Sequence, residues 1–173
     1  EGARRPRPDA QIDVNGYLRI LLLFAAFAPA VTLSAQNARV ISADAPAVHE
    51  LWSAQLLVSD AVTPPAAAAP WEAVELPDRW RDPERYTRGV IGWYRFEVPA
   101  ELAPASRART SVYLWRYNMV AEIWFNGELL ASTGRFEEPV TRNWNRPLLV
   151  DLPASAWRRA GNVLHVRLRA YPH

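Results

Sequence analysis

Beyond Trp71 the chain runs as short apolar segments of period two, each closed by turn residues, and this pattern confines it to an all-β body. The sharpest signal is Ala121-Glu122-Ile123-Trp124-Phe125, then Asn126-Gly127, then Glu128-Leu129-Leu130-Ala131. Asn-Gly supplies the two positive-φ positions of a type I′ turn, so strand, turn and returning strand follow. Trp93 to Val98 alternates Tyr94, Phe96 and Val98 with Trp93, Arg95 and Glu97, and Pro99 ends the strand. Ser111 to Arg116 sets Val112 and Leu114 against Tyr113 and Trp115, as in an interior strand covered on both faces. Further strands are expected at Leu148–Leu152 and, after the Gly161-Asn162 turn, at Val163–Arg169, with Leu164, Val166 and Leu168 inward and His165, Arg167 and Arg169 pointing away. No helical period outlasts about two turns. The fold class expected is therefore all-β, an antiparallel β-sandwich or jelly roll.

The 173 residues allow one ordinary domain with appendages, and 50% apolar content with eight Trp suits a packed core. We divide the chain into 1–36, 37–70 and 71–173. In the first part, Arg4, Arg5, Arg7 and Arg19 precede the apolar run Ile20 to Ala28, and Ser34-Ala35-Gln36 offers small residues for a cut after Ala35. That is the layout of a signal peptide or an uncleaved membrane anchor, with a buried core helix as the bland reading. Residues 37–70 read as an Ala/Pro-rich lead-in ending in Pro64-Pro65-Ala66-Ala67-Ala68-Ala69-Pro70, with one short strand inside Leu51 to Val58. The sandwich is expected over 71–173.

Composition removes several function classes. There is no Cys, which excludes disulfides and thiolate chemistry. The net charge of +2 is spread over interspersed Arg and acids, giving nucleic-acid binding little support. His49, His165 and His173 show no metal-ligand or triad spacing, and His165 reads as a strand residue on the less buried face. Glu137 with Glu138, or Asp78 with Asp82, are carboxylates of the type a glycosidase uses, but solvated loop acids are the commoner case. The seven Gly form no phosphate loop. We therefore assign no catalytic residue, no metal ligand and no cofactor.

The segment Gly134 to Pro147 differs in character: a long connection between strands with two aromatics, two Asn and three Arg. Long loops on sandwiches are where binding groups concentrate. Arg135, Arg142, Asn143, Trp144, Asn145 and Arg146 are the candidate ligand-binding residues. An aromatic face with amide and guanidinium donors suits a sugar or another small polar ligand. The competing reading has Trp144 plugging the sandwich and the Arg side chains pairing with Glu137, Glu138 or a neighbouring domain.

Four pieces in order, Trp71-Glu72-Ala73-Val74-Glu75-Leu76-Pro77-Asp78-Arg79-Trp80, Gly92-Trp93-Tyr94-Arg95, Phe125-Asn126-Gly127 and Gly161-Asn162-Val163-Leu164, resemble the galactose-binding-like jelly roll that serves family 2 glycoside hydrolases as a sugar-binding domain. With Thr141-Arg142-Asn143-Trp144-Asn145-Arg146-Pro147-Leu148-Leu149, the chain resembles more closely the periplasmic sensor domain of bacterial membrane histidine kinases and diguanylate cyclases. That resemblance implies an extracytoplasmic, membrane-anchored input domain of a signalling protein, in the first instance a two-component histidine kinase. The membrane attachment would run through the N-terminal segment or through chain following His173, and a homodimer is compatible with it. The alternatives are a non-catalytic carbohydrate-binding domain of a secreted glycosidase and a protein–protein interaction domain. In the hydrolases the catalytic acids lie in a separate barrel, so the resemblance carries no catalysis to this chain.

Overall fold

The computed structural model describes residues 20–25 as backbone and residues 48–78, 90–104, 109–143 and 146–169 in full. Among these residues lie ten strands, β1 (Ile20–Ala25), β2 (Val48–Leu51), β3 (Ser53–Val58), β4 (Glu72–Glu75), β5 (Ile91–Val98), β6 (Arg109–Leu114), β7 (Val120–Phe125), β8 (Glu128–Ser132), β9 (Leu148–Leu152) and β10 (Asn162–Arg169). Helix among the described residues amounts to two single 3-10 turns, Ala100–Leu102 and Ala154–Ala156. Each directly follows a proline, Pro99 or Pro153, that lacks the N–H a strand would need to continue.

The strands form two antiparallel sheets, β2-β1-β6-β9 and β4-β3-β5-β10-β7-β8. The expected antiparallel β-sandwich is what the chain builds. Val112 and Leu114 of β6 and Val150 and Leu152 of β9 meet Leu56, Tyr94, Phe96, Ile123, Phe125, Leu164 and Val166 from the larger sheet. The period-two reading of β5, β6 and β10 selects these inward residues correctly, because alternate Cβ atoms must point to opposite faces. At the β7–β8 turn, Asn126 and Gly127 take φ of 52° and 93°, as a type I′ hairpin demands.

Two boundaries depart from the expected ones. The sandwich starts ahead of Trp71: β2 and β3 belong to it, and Leu56 of β3 is wholly buried. Trp52 alone separates β2 from β3, so the chain changes sheet in a single residue. What the Ala/Pro-rich composition marks is the irregular strap after β3, residues 59–71. At the N-terminus, six residues of the run read as the middle of a leader form β1, paired to β2 from Ile20↔Leu51 to Leu23↔Val48 and to β6 from Ile20↔Leu114 to Ala25↔Arg109. A short apolar run has the same pattern in a leader and in a buried strand, so periodicity alone does not separate the two. No helix among the described residues is long and apolar enough to cross a membrane.

The outward face of the six-stranded sheet is covered as well. Ile91, Trp93, Met119, Val120, Phe136 and Val140 form a second apolar cluster there, joined at its border by Leu57, Ala61, Trp71 and Trp124. The expectation that His165 lies on a less buried face is thus corrected, since His165 is 8% exposed; Arg167, which points away from the main core as expected, is covered too, at 6%. Alternation tells which face a residue occupies; it does not tell what chain lies over that face.

Candidate binding surface

Residues 133–143 of the connection from β8 to β9 are built rather than loose. At its start the Thr133 N–H donates to the Ala121 carbonyl at 2.9 Å, and the Ala121 N–H donates to Thr133 Oγ1 at 2.8 Å. At its far side the Asn143 N–H donates to the Met119 carbonyl at 3.0 Å, and Asn143 Nδ2 donates to the Thr133 carbonyl at 2.9 Å. Both ends of residues 133–143 are therefore pinned to the entry of β7 and to each other. Inside, the Arg135 N–H donates to Thr141 Oγ1 at 2.9 Å while the Thr141 N–H donates to the Arg135 carbonyl at 3.2 Å. Gly134 sits at φ +150°, and a Cβ there would collide with the Thr141 side chain, so the closure requires glycine. Phe136 and Val140 turn down into the second apolar cluster and hold the loop on the sheet.

This architecture displays the arginines. Arg135, Arg142 and Arg146 are all exposed, and their guanidinium groups have no hydrogen-bond or ion-pair partner among the described residues. The nearby acids are engaged otherwise or solvated: Glu138 lies 3.3 Å from Arg169, and Glu137 is exposed. Asn143 faces inward, 5% exposed, with its amide committed to Thr133. Its place in the loop is that of a brace, whereas the three Arg face solvent. Trp144 and Asn145 lie outside the described residues. Of the carboxylates weighed as an acid pair, Asp78 accepts from the Tyr94 hydroxyl at 2.7 Å, and Asp82 lies outside the described residues. No group of three His, Cys, Asp or Glu residues among the described residues is placed to hold a metal ion.

Under the loop, on the outer face of the larger sheet, is an arrangement that the sequence reading missed. Arg167 lies 3.1 Å from Glu122 and stacks its guanidinium on Phe136, 4.1 Å from the ring centre, with Trp93 at 5.7 Å. Trp124 Nε1 donates to the same Glu122 at 3.2 Å, and Trp93 Nε1 donates to the Ala61 carbonyl at 3.2 Å. Arg95 donates to Gln55 and lies 3.2 Å from Glu97. In the midst of these, His165 has Trp71 at 5.9 Å and Trp93 at 6.2 Å, ring centre to ring centre. Burial first, and the Arg95 charge second, push its pKa down from 6.5 to about 4. The only signal of this face in the sequence was the run of aromatic and charged residues at outward positions of β5, β7 and β10.

The pieces that carry the family resemblance hold one another together. Asp78 of the first binds Tyr94 of the second. Asn126 of the third donates from Nδ2 to Asn162 Oδ1 of the fourth at 2.9 Å and to the Ala156 carbonyl at 2.7 Å, and its Oδ1 accepts the Val163 N–H at 2.9 Å. These residues are scaffold.

No family model matches the chain, and no curated protein does. Among solved structures the chain is similar to β-glucuronidase from Faecalibacterium prausnitzii, with 18% identity and a TM-score of 0.48 over 66% of this chain and 19% of that one. The chain thus spans about a fifth of that enzyme's chain.

Proposed function

We propose that this chain is a non-catalytic binding domain that takes a polar, acid-bearing ligand, in the first instance an acidic glycan, on the 133–147 loop. The observation that carries the reading is the set of three exposed guanidinium groups, Arg135 and Arg142 on the loop braced at Thr133 and Asn143 and Arg146 just past it. Arginine presents a planar fork that matches a carboxylate bidentately, and a braced loop holds that fork at little further entropic cost. The resemblance to sugar-binding jelly rolls supports the sugar part of the reading. Calorimetry on the full chain with uronate-containing and neutral oligosaccharides is the test. Binding to the acidic set, weakened at least tenfold by Arg142→Ala with the melting temperature unchanged, is the expected result, and indifference of both sets to that substitution would overturn it.

We further propose that the domain works outside the cytoplasm as the input module of a membrane signalling protein, on the strength of its resemblance to sensor domains. With Ile20–Ala25 in the sheet as β1, the version compatible with the fold is export with the N-terminal segment retained. Mass spectrometry of the exported protein should then find residues 1–36 in place. A mature N-terminus at Gln36 would refute retention, and a purely cytosolic protein would refute the location.

One observation favours a second reading, a protein-docking domain. On the outward face of the four-stranded sheet, Trp115 is 59% and Leu149 58% exposed, and Tyr113, opposite Leu149 in the ladder, stacks edge-on against Trp115 at 6.3 Å. Blank binding curves for every glycan together with self-association abolished by Trp115→Ser would select it.

A further inference from the structure

We propose that the outer face of the six-stranded sheet carries a separate ligand site, floored by His165 and closed by Trp71, that takes a neutral hydroxyl-bearing ring of about monosaccharide size. One row of outward residues crosses four strands: Gln55 on β3 lies opposite Arg95 on β5, Arg95 opposite His165 on β10, and His165 opposite Trp124 on β7. His165 is more than nine-tenths buried, yet neither ring nitrogen has a hydrogen-bond partner among the described residues. The polar residues around it are engaged: Arg95 with Gln55 and Glu97, Arg167 and Trp124 with Glu122, Trp93 with Ala61. A buried polar group without a partner is destabilising, and a purely packing position in an aromatic cluster is filled as well by Phe. His165 thus brings an unused donor and an unused acceptor to the floor of the face.

Its cover is movable in a way its walls are not. Trp93 is wholly buried and sits mid-ladder on β5. Trp71 is only partly buried and belongs to the strap, and its Nε1 donates to the Ala66 carbonyl at 3.0 Å within that same strap. Because that bond travels with the strap, swinging Trp71 aside breaks no ladder hydrogen bond. Once open, the row offers the faces of Trp71 and Trp124 for the apolar side of a ring, with the imidazole and the Gln55 amide for its hydroxyls. The cations on the face have acids beside them, Arg95 with Glu97 and Arg167 with Glu122, so it calls for an uncharged ligand. In this it differs from the loop, whose arginines have no acid partner among the described residues, and it does not depend on what the loop binds.

The experiment is an NMR titration of the full chain, following the imidazole nitrogens, with methyl glucoside, methyl galactoside and methyl mannoside as probes. At least one is expected to shift the His165 nitrogens saturably and to change tryptophan fluorescence with the same affinity. His165→Phe, which keeps the ring in the cluster, should abolish the fluorescence response, and Arg142→Ala should leave it untouched. Trp71→Ala, on the exposed strap, should leave the domain folded and weaken the response at least fivefold. Absence of a saturable His165 shift with all three probes would overturn the proposal, and so would a fluorescence response that survives His165→Phe.

Discussion

Between β5 and β7, His165 loses water on nearly every side and faces the Arg95 guanidinium across the ladder, and the two together lower its pKa from 6.5 to about 4. The unfolded chain binds a proton at this position below about pH 6.5, while the folded chain resists until about pH 4. Folding is therefore penalised progressively as pH falls from 6.5 towards 4, by on the order of 3 kcal/mol in full, and the penalty levels off below that window. Above pH 6.5 both states are neutral here and the residue contributes no pH dependence. Urea denaturation across this range should show the loss in the parent chain. His165→Phe should remove that slope relative to the parent, and an equal slope in both would mean that the imidazole is solvated. None of this was legible beforehand: a His at an outward position of a strand is ordinary until the strap and the aromatic cluster are known to lie above it.

At the scale of elements, the 133–143 loop shows why a residue can stand out by composition and still be given the wrong neighbours. The mixture of Asn, Arg and aromatic residues does mark a built loop, and Arg135, Arg142 and Arg146 do face solvent. The sequence cannot show that Asn143 would turn inward, because an Asn suits a ligand and a backbone carbonyl equally well. Its loss removes a brace: Asn143→Ala leaves the buried side of the Thr133 carbonyl without its donor, at a cost of about 1 to 3 kcal/mol. Hydrogen exchange should quicken at Thr141 and Arg135, whose amides depend on the loop staying closed, and unchanged protection there would show that the brace is dispensable. The strands were far more legible. The pattern placed β9 and β10 to within one residue and β5 and β6 to within two, and Asn126-Gly127 fixed the hairpin through its φ values. What pattern could not reveal was that Asn126 also ties the neighbouring turn at Asn162, a contact between residues far apart in the chain.

For the whole molecule, β1 and the two strands of the lead-in decide where the domain begins. Pattern reading placed that start at Trp71, because short strands amid Ala and Pro lack the length that makes alternation visible. Removing residues 1–36 takes β1 from between β2 and β6 and leaves both flanking edges unpaired. Such edges recruit other chains. The truncated chain is expected to melt lower than the parent by several degrees and to self-associate, as light scattering and circular dichroism would register. A monomer of unchanged melting temperature would show that the sandwich closes without its first strand. The placement of β1 also bears on biogenesis. Its two partners both lie later in the chain, β2 soon after it and β6 more than eighty residues on, so a ribosome releases this apolar ribbon well before the β6 edge exists. Until β6 is made, one edge of the ribbon stays open to any holdase that shields exposed strands, and raising the supply of such chaperones should raise the yield of folded protein in cells.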